Sequence, residues 1–219
     1  MCDTIEPMRT FICLLICLLI SPFGVEAACP NVKPKVIINT TQGKVKYITN
    51  MARKDFIAKY PGTSDTTLGL TVAKLEVKTS GKSSISQKSR QMCAGLDEII
   101  FTIGYDEILV YIHKNYKPGS CQYRVVKDHE NYHVAVHRQA MTFFKPDIET
   151  ALRKAVAKLK PQVVHSHAEA KRLVDQQFRQ IQNEIAPLLR HINTKIKEKN
   201  DAIDTPESYK ASSKLCDEW

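Results

Sequence analysis

The sequence predicts an α+β fold in which an N-terminal antiparallel β-rich half, residues 28–118, packs on a C-terminal bundle of long helices, residues 119–219. The first half contains short apolar or alternating segments between turn residues, which is typical of strands and hairpins. The second half carries apolar residues at spacings of three and four, which indicates amphipathic helices. A length of roughly 190 residues is within the range of one domain, so we expect a single domain over residues 28–219.

Residues 1–27 are predicted to be a secretory signal peptide. Phe11–Ile20 is an apolar run that is too short to cross a bilayer, and the V-E-A segment ending at Ala27 is similar to a signal-peptide cleavage site. Two acidic residues lie between Met1 and Met8, so a start at Met8 would fit a leader better. Because no other stretch is apolar enough to span a membrane, we expect a secreted or periplasmic protein without a stable membrane span.

The first part of the β-rich half predicts a hairpin followed by a helix. Lys35–Asn39 and Lys44–Thr49 are short apolar or alternating segments around a Thr-Gln-Gly turn. Asn50–Tyr60 has the pattern of one helix, which the following Pro61-Gly62 would stop.

The second part of this half predicts a strand, a loop and another hairpin. Leu68–Val77 alternates as a strand does, whereas residues 81–91 are polar and rich in Ser and Lys, which favours a loop. Asp97–Gly104 and Glu107–Lys114 stand on either side of Tyr105-Asp106, and we expect the clearest hairpin of the chain there.

The helical half begins with a predicted helix within residues 120–144. Ser120 is a suitable N-cap, and Pro146 marks a point by which the helix must have ended. One face of this helix, which we expect to be buried, carries Val125, His129, Tyr132, Val136, Ala140 and Phe143.

Two more helices are predicted after Pro146. Asp147–Lys160 is amphipathic and is ended or kinked by Pro161. Gln162–Asn200 carries an apolar stripe with heptad-like spacing, and we expect a kink at Pro187. This stripe is expected to pack over the preceding helices rather than to form a coiled coil with a partner.

The first predicted helix of this half contains the motif H-E-x-x-H at His129, Glu130 and His133. Four residues apart on a helix, the two histidines share a face at roughly 6 Å from each other. Two imidazoles at that distance can bind one Zn²⁺. Glu130 lies about 100° further round the helix, where it can reach a metal-bound water without being a ligand. In zinc hydrolases with this motif the glutamate is the general base, which makes Glu130 the expected catalytic residue.

The alternative interpretation of the motif is a pair of core histidines. Buried polar groups left without partners are costly, so His129 and His133 would then need other hydrogen-bond partners on a face that also carries apolar residues.

A zinc site needs a third protein ligand, and the sequence leaves several open. His137 lies eight residues after His129, about 12 Å along an unbroken helix, so we expect it beside the ligands or on the surface. The downstream candidates are His165, His167, Glu169, Asp204 and Glu207. If the chain folds back near residue 145, residue 161 comes level with His129, which favours the group that starts at His165.

Four cysteines follow the predicted leader, namely Cys29, Cys93, Cys121 and Cys216. An even number in an exported chain suggests two disulfides, with three possible connectivities. We favour Cys93–Cys121, which would join the second hairpin to the motif helix, and Cys29–Cys216, which would join the two ends of the domain. Zinc ligation by cysteines is less favoured, because there is no C-x-x-C pair and the expected compartment is oxidising.

The charge of the chain is strongly positive. The formal net charge of +9 becomes +11 when residues 1–27, with three acids and one base, are removed. Such a charge favours anionic surfaces. However, the basic residues are scattered without interleaved aromatics or a nucleic-acid motif, so we expect a solvated surface and no nucleic-acid partner.

Several segments together resemble a family of bacterial secreted proteins that are described as predicted zinc-dependent proteases. The resemblance covers most of the chain after the leader. The motifs that carry it are Gly69-Leu70-Thr71, a strand followed by Ser120-Cys121-x-Tyr123, and H-E-x-x-H-V. Long helices, an Asp-Thr tail and a terminal Trp follow these motifs, as in the family. The family's tail reads roughly Tyr-Asp-x-x-Thr-x-His-Gly, and the matching positions here are Ile203, Asp204, Glu207, Tyr209 and Lys210. The aspartate is kept while the histidine and glycine are replaced. If the family's metal uses that histidine, this protein has moved the ligand or lost activity; if it uses the aspartate, the resemblance implies Asp204 as the third ligand, which is the interpretation that we favour.

The sequence therefore predicts a secreted or periplasmic zinc metallopeptidase in which Glu130 activates a metal-bound water for attack on a peptide bond. Envelope proteins, wall peptides and secreted partners are the substrate classes left open. Two alternatives are a non-catalytic secreted binding or scaffold protein with a structural or lapsed metal site, and a basic protein that binds anionic polymers through its helical half.

Overall fold

The computed structural model describes residues 29–60, 67–88 and 91–219 and confirms the α+β prediction. The predicted signal peptide and the predicted helix stop at Pro61-Gly62 lie outside these residues. The strands in the described ranges are β1 (Lys35–Ile48), β2 (Gly69–Ala73), β3 (Glu76–Lys88), β4 (Gln91–Ile112) and β5 (Gln162–Val164). The helices are α1 (Arg53–Lys59), α2 (Cys121–Phe143), α3 (Lys145–Ala157), α4 (His167–Asp201) and α5 (Pro206–Ser213).

Strand β4 is the centre of the sheet, since each of the other four strands pairs with it. On one edge of β4, β5 pairs antiparallel with Met92–Ala94, and β1 then pairs in parallel with Glu98–Tyr111. On the other edge, β3 pairs antiparallel with Gln91–Gly104 and β2 with Ile108–Ile112. The sheet is therefore mixed rather than purely antiparallel.

Both predicted hairpins are wrong, because β1 and β4 are each one continuous strand. The buried side chains of β4 fall on odd-numbered positions from Ile99 to Tyr105 and on even-numbered positions from Ile108 to Ile112, where Tyr111 is buried as well. A shift of one residue in the alternating pattern, here at Asp106-Glu107, is also what a hairpin turn produces, which is why the sequence predicts a turn there. In the fold it is instead a bend that β1 and β4 make side by side, where Gly43 and Gly104 both have positive φ.

The predicted loop at residues 81–91 is also wrong. Residues 81–88 belong to β3, which stays paired with β4 through its backbone although its side chains from Gly81 to Gln87 are exposed. An edge strand with exposed side chains on both faces has no alternating apolar pattern, so its sequence is indistinguishable from that of a loop. The strand predicted at Leu68–Val77 is divided at Lys74-Leu75 between β2 and β3.

The helical half begins as predicted and then differs. The Ser120 side chain accepts a hydrogen bond from the backbone N–H of Tyr123, which makes it the N-cap of α2. The third helix does not begin at Gln162, because residues 162–164 form β5 and α4 begins only after Ser166. Pro187 lies inside α4 without ending it, and α5 was not predicted.

The buried face of α2 matches the predicted one only in part: Ala140 is buried and Val136 packs against the core, but Tyr132 and Phe143 are 65% and 72% exposed. Glu130 and His133 are buried instead, because α2 lies between the sheet and α4 and is covered on two sides. Glu130 faces β2, and His133 faces the C-terminal end of α4.

The four cysteines form two disulfides, as predicted, but the favoured connectivity is wrong. The bonds are Cys29–Cys93 and Cys121–Cys216. Because β4 does not fold back as a hairpin, the chain from Cys93 to Ile112 is about 60 Å of extended strand, and Cys93 cannot reach Cys121. Two disulfides fit a protein of an oxidising, extracellular compartment. Within the described residues, no helix combines the length and the apolar character that a membrane span requires.

We predict that Gly104→Ala destabilises the fold more than Gly119→Ala does. Both glycines have positive φ, which strains an alanine by about 1–3 kcal/mol. A Cβ at Gly104 would also lie 2.0 Å from the Thr41 carbonyl oxygen, whereas a Cβ at Gly119 would meet no described atom within 4 Å. Urea unfolding measures the two losses in free energy of unfolding, and equal losses would contradict the close packing of β1 and β4.

Candidate metal centre

Three side chains that can bind a metal converge at one point between α2 and the segment that joins α4 to α5. They are His129, His133 and Asp204, and their potential ligand atoms all lie within 4.8 Å of one another. Helix geometry brings the two histidines together, because four residues make about one turn. Asp204 lies 75 residues after His129 and is held between the end of α4 and the N-cap of α5, Thr205.

The distances between these atoms fit a tetrahedral zinc site. Asp204 Oδ1 lies 3.0 Å from His129 Nε2 and 3.2 Å from His133 Nε2, and the two Nε2 atoms are 3.3 Å apart. Ligand atoms at 2.0–2.1 Å from a tetrahedral zinc are separated from each other by about 3.3 Å. The three atoms therefore stand at nearly the spacing that a shared ion would impose, and this group could hold a metal ion.

Hydrogen bonds on the far side of His133 direct the lone pair of its Nε2 atom towards the point where the three candidate ligand atoms meet. The amide nitrogen of Asn200 can only donate, and it lies 3.4 Å from His137 Nε2. The amide oxygen of Asn200 consequently faces His133 Nδ1, at 3.0 Å, and accepts a hydrogen bond from it. A neutral His133 with its proton on Nδ1 presents a lone pair at Nε2, as a metal ligand must.

The same lone pair faces the carboxylate of Asp204, and two acceptors 3.2 Å apart need a proton or a cation between them. Burial alone would lower the pKa of His133, but its hydrogen bonds to Asp204 and Asn200 raise that pKa above the ordinary value. Burial likewise acts to raise the pKa of Asp204. Hydrogen bonds from His129, His133 and Tyr209 outweigh it and hold that pKa well below its usual range. The site therefore favours positive charge at the centre of the three ligand atoms.

His137 continues this network away from the candidate ligands. Its Nδ1 lies 3.1 Å from the hydroxyl of Tyr105, a buried side chain of β4. Burial, and next the charge of His133, lowers the pKa of His137 to about 4, so the ring is neutral at physiological pH. As the spacing predicted, His137 lies beside the candidate ligands, and its ring accepts a hydrogen bond from Asn200.

Glu130 is close enough to the three candidate ligands to interact with their charges, and its carboxylate contacts β2. It is 4% exposed, and its Oε2 accepts a 2.7 Å hydrogen bond from the Thr71 hydroxyl. A Cβ at Gly69 would lie 2.6 Å from Glu130 Oε1, so only glycine leaves room for the carboxylate there. Burial raises the pKa of Glu130 despite the bond from Thr71 and the nearby histidines. A buried carboxylate with a raised pKa is suited to accept a proton near neutral pH.

The alternative ligands near the start of α4 are not brought to this site. His167 is the first residue of α4 and Asn200 is close to its end, which separates them by about 50 Å along the helix. The Glu169 carboxylate accepts a hydrogen bond from the backbone N–H of His165 and so closes the start of α4. Folding back at residue 145 does not bring His165 level with α2, because β5 anchors the start of α4 beside Met92–Ala94 of β4.

Three features of the site were missed by sequence reasoning. Asn200 has no local signal, since its role depends on α4 passing α2 at that residue. Tyr209 donates a 2.8 Å hydrogen bond to Asp204 Oδ1 and places its ring beside His129, with centroids 5.3 Å apart. The contact of Thr71 with Glu130 could have been suspected from the Gly-Leu-Thr resemblance alone.

Comparisons of the chain with protein-family models, with curated proteins and with solved structures found no match.

We predict that Asn200→Leu weakens the binding of a divalent metal by about 10–100-fold, the usual effect of removing the partner of a histidine ligand. The substitution removes the acceptor that keeps the proton of His133 on Nδ1. Competition with a chromophoric chelator, with Zn²⁺ or Co²⁺ as the probe, measures the change. Asn183→Leu, on an exposed position of the same helix, is the matched control, and equal losses in the two variants would show that Asn200 does not orient a ligand.

Proposed function

We propose that this protein is an exported zinc-dependent metallopeptidase whose ion is held by His129, His133 and Asp204, with Glu130 as the general base. The observation that carries the proposal is the convergence of three ligand atoms at 3.0–3.3 Å from one another, with a buried carboxylate beside them. The resemblance to secreted zinc-dependent proteases supports it, because the family's H-E-x-x-H motif and tail aspartate are both present.

The donor set favours zinc among the common metals. Two imidazole nitrogens and one carboxylate oxygen make a combination that catalytic zinc sites use, whereas Mg²⁺ and Ca²⁺ prefer oxygen ligands alone. Structural zinc sites are normally closed by four protein ligands. The group here has three in the described part of the chain, which leaves a position for water or substrate. This difference favours an enzyme over the scaffold alternative.

A zinc ion in this site would lower the pKa of a coordinated water towards neutrality and polarise a peptide carbonyl. Glu130 takes the proton of the attacking water and delivers it to the nitrogen of the departing amine, so that a peptide bond is exchanged for a carboxylate and an amine. Thr71 fixes Oε2 of this carboxylate, and among the described residues Oε1 receives no hydrogen bond, which leaves it available to the proton.

The substrate class that follows is a peptide or protein outside the cytoplasm, because both disulfides fit an oxidising compartment. Envelope proteins, wall peptides and secreted partners all satisfy this condition. The positive net charge of the chain would favour substrates at an anionic surface.

We predict that the full chain binds one zinc ion and that His133→Ala and Asp204→Ala each abolish stoichiometric binding. Loss of a direct ligand should exceed the about 10–100-fold effect of losing a ligand's partner. Elemental analysis measures the zinc content of each protein, and competition with a chelator measures its affinity for zinc. His165→Ala is the matched control and should keep both, because that residue lies at the opposite end of α4. An intact, folded wild-type protein without stoichiometric zinc would overturn the proposed function.

We predict that Glu130→Gln keeps the zinc and loses hydrolysis by about 10²–10⁴-fold, the usual contribution of a general base. The measurement is cleavage of a quenched peptide library, with zinc content determined in the same preparation. Asp128→Asn, exposed on the same helix two residues away, is the control for the removal of a carboxylate. Zinc binding without any hydrolysis by the wild-type protein would instead support the scaffold alternative.

A further inference from the structure

An apolar pocket of about 330 Å³ opens beside the candidate metal centre. We call this cavity the side pocket. Its apolar lining consists of Leu68, Tyr116, Val125, Val126 and Trp219. Gly69, Tyr209 and two serines complete it, and none of the side chains named so far carries a charge at neutral pH. The imidazole of His129 and the carboxylate of Glu130, which belong to the candidate metal centre, also line the pocket.

The side pocket is therefore continuous with the proposed catalytic residues. Val125 and Val126 lie one turn before His129 and Glu130 on α2, and Leu68 precedes the Gly69 that packs against the Glu130 carboxylate. If a side chain of a peptide substrate occupied the side pocket, the peptide bond next to that residue would consequently lie at the candidate metal centre.

The outer wall of the side pocket is fixed by the tail of the chain. The Trp219 indole N–H donates a 2.8 Å hydrogen bond to the Ser213 carbonyl oxygen, and its ring meets the Tyr116 ring edge to face at 6.1 Å. The disulfide Cys121–Cys216 holds this tail against the start of α2. Because the wall is held by a covalent bond and a hydrogen bond, the side pocket is formed before a ligand arrives.

The lining selects its ligand by charge and by size. A carboxylate or an ammonium group in the side pocket would have to leave water for a lining made mostly of valine, leucine and tyrosine side chains, which is costly for either charge. A volume of about 330 Å³ is at the lower end of ligand-binding pockets, so it suits one large side chain rather than an extended ligand.

We propose that the side pocket binds a single large apolar side chain, of the leucine or phenylalanine class, from the residue next to the scissile bond of a peptide substrate. This inference rests on the proposed peptidase function, for which it names the class of substrate. It adds a specificity determinant that the H-E-x-x-H motif does not contain.

The experiment measures peptide binding without turnover. The full chain carrying Glu130→Gln is titrated, with and without added zinc, with acetylated and amidated Gly-Gly-X-Gly-Gly peptides in which X is Leu, Phe, Gly, Glu or Lys. Trp219 is the one tryptophan of the chain, so its emission reports on the side pocket, and equilibrium dialysis measures the same binding independently. The expected result is a Kd for X = Leu and Phe about tenfold or more below that for Gly, Glu and Lys.

A matched pair of substitutions locates the binding. Val125→Phe fills the side pocket and should weaken binding of the phenylalanine peptide about tenfold. Val136→Phe places the same change three turns further along α2, outside the side pocket, and should leave the Kd within about twofold. Equal affinities for all five peptides, equal effects of the two substitutions or no binding by either method would overturn the proposal. If the wild-type protein neither binds zinc nor cleaves peptides but the peptides still bind selectively, the proposed peptidase function is overturned, whereas the proposal that the side pocket binds an apolar side chain is retained.

Discussion

The candidate site depends on the place where the end of α4 meets the middle of α2. His133 is bonded there on both ring nitrogens, by Asn200 from the last turn of α4 and by Asp204 just beyond it. One contact between two helices therefore both orients a candidate ligand, His133, and brings the third candidate, Asp204, to it. The sheet supports this arrangement from the other side, since β2 supplies Thr71 to Glu130 and β4 supplies Tyr105 to His137.

The parts of the fold that the sequence predicted are those that depend on local spacing. Helix α2, its N-cap Ser120 and the shared face of His129 and His133 follow from a period of 3.6 residues, which needs no knowledge of distant contacts. The third candidate ligand, Asp204, reaches His129 through a contact between residues 75 apart, and no periodicity of the sequence predicts such a contact. Only the resemblance implied Asp204, whereas the estimate from folding back the helices pointed to His165, because it did not include β5.

The errors in the β-rich half have one physical origin. A change of phase in an alternating pattern is compatible with a turn and with a bend, and the choice depends on which strand lies alongside. Here β1 follows β4 through the same bend, so Gly104 allows the Thr41 carbonyl to approach where a side chain could not fit. The wrong disulfide connectivity followed from the wrong hairpin, since the ends of an extended β4 are far apart.

The disulfide between Cys121 and Cys216 also shortens the covalent path between Asp204 and the two histidines of the candidate metal centre. Along the backbone, Asp204 is 75 residues from His129, but through the sulfur bridge the path is only about 20 residues, which reduces the entropic cost of closing that ring by about 1 kcal/mol. A chain that has formed this one bond therefore searches a much smaller set of conformations before the carboxylate meets the imidazoles. Formation of this disulfide would thus bring the three side chains of the candidate metal centre together more readily.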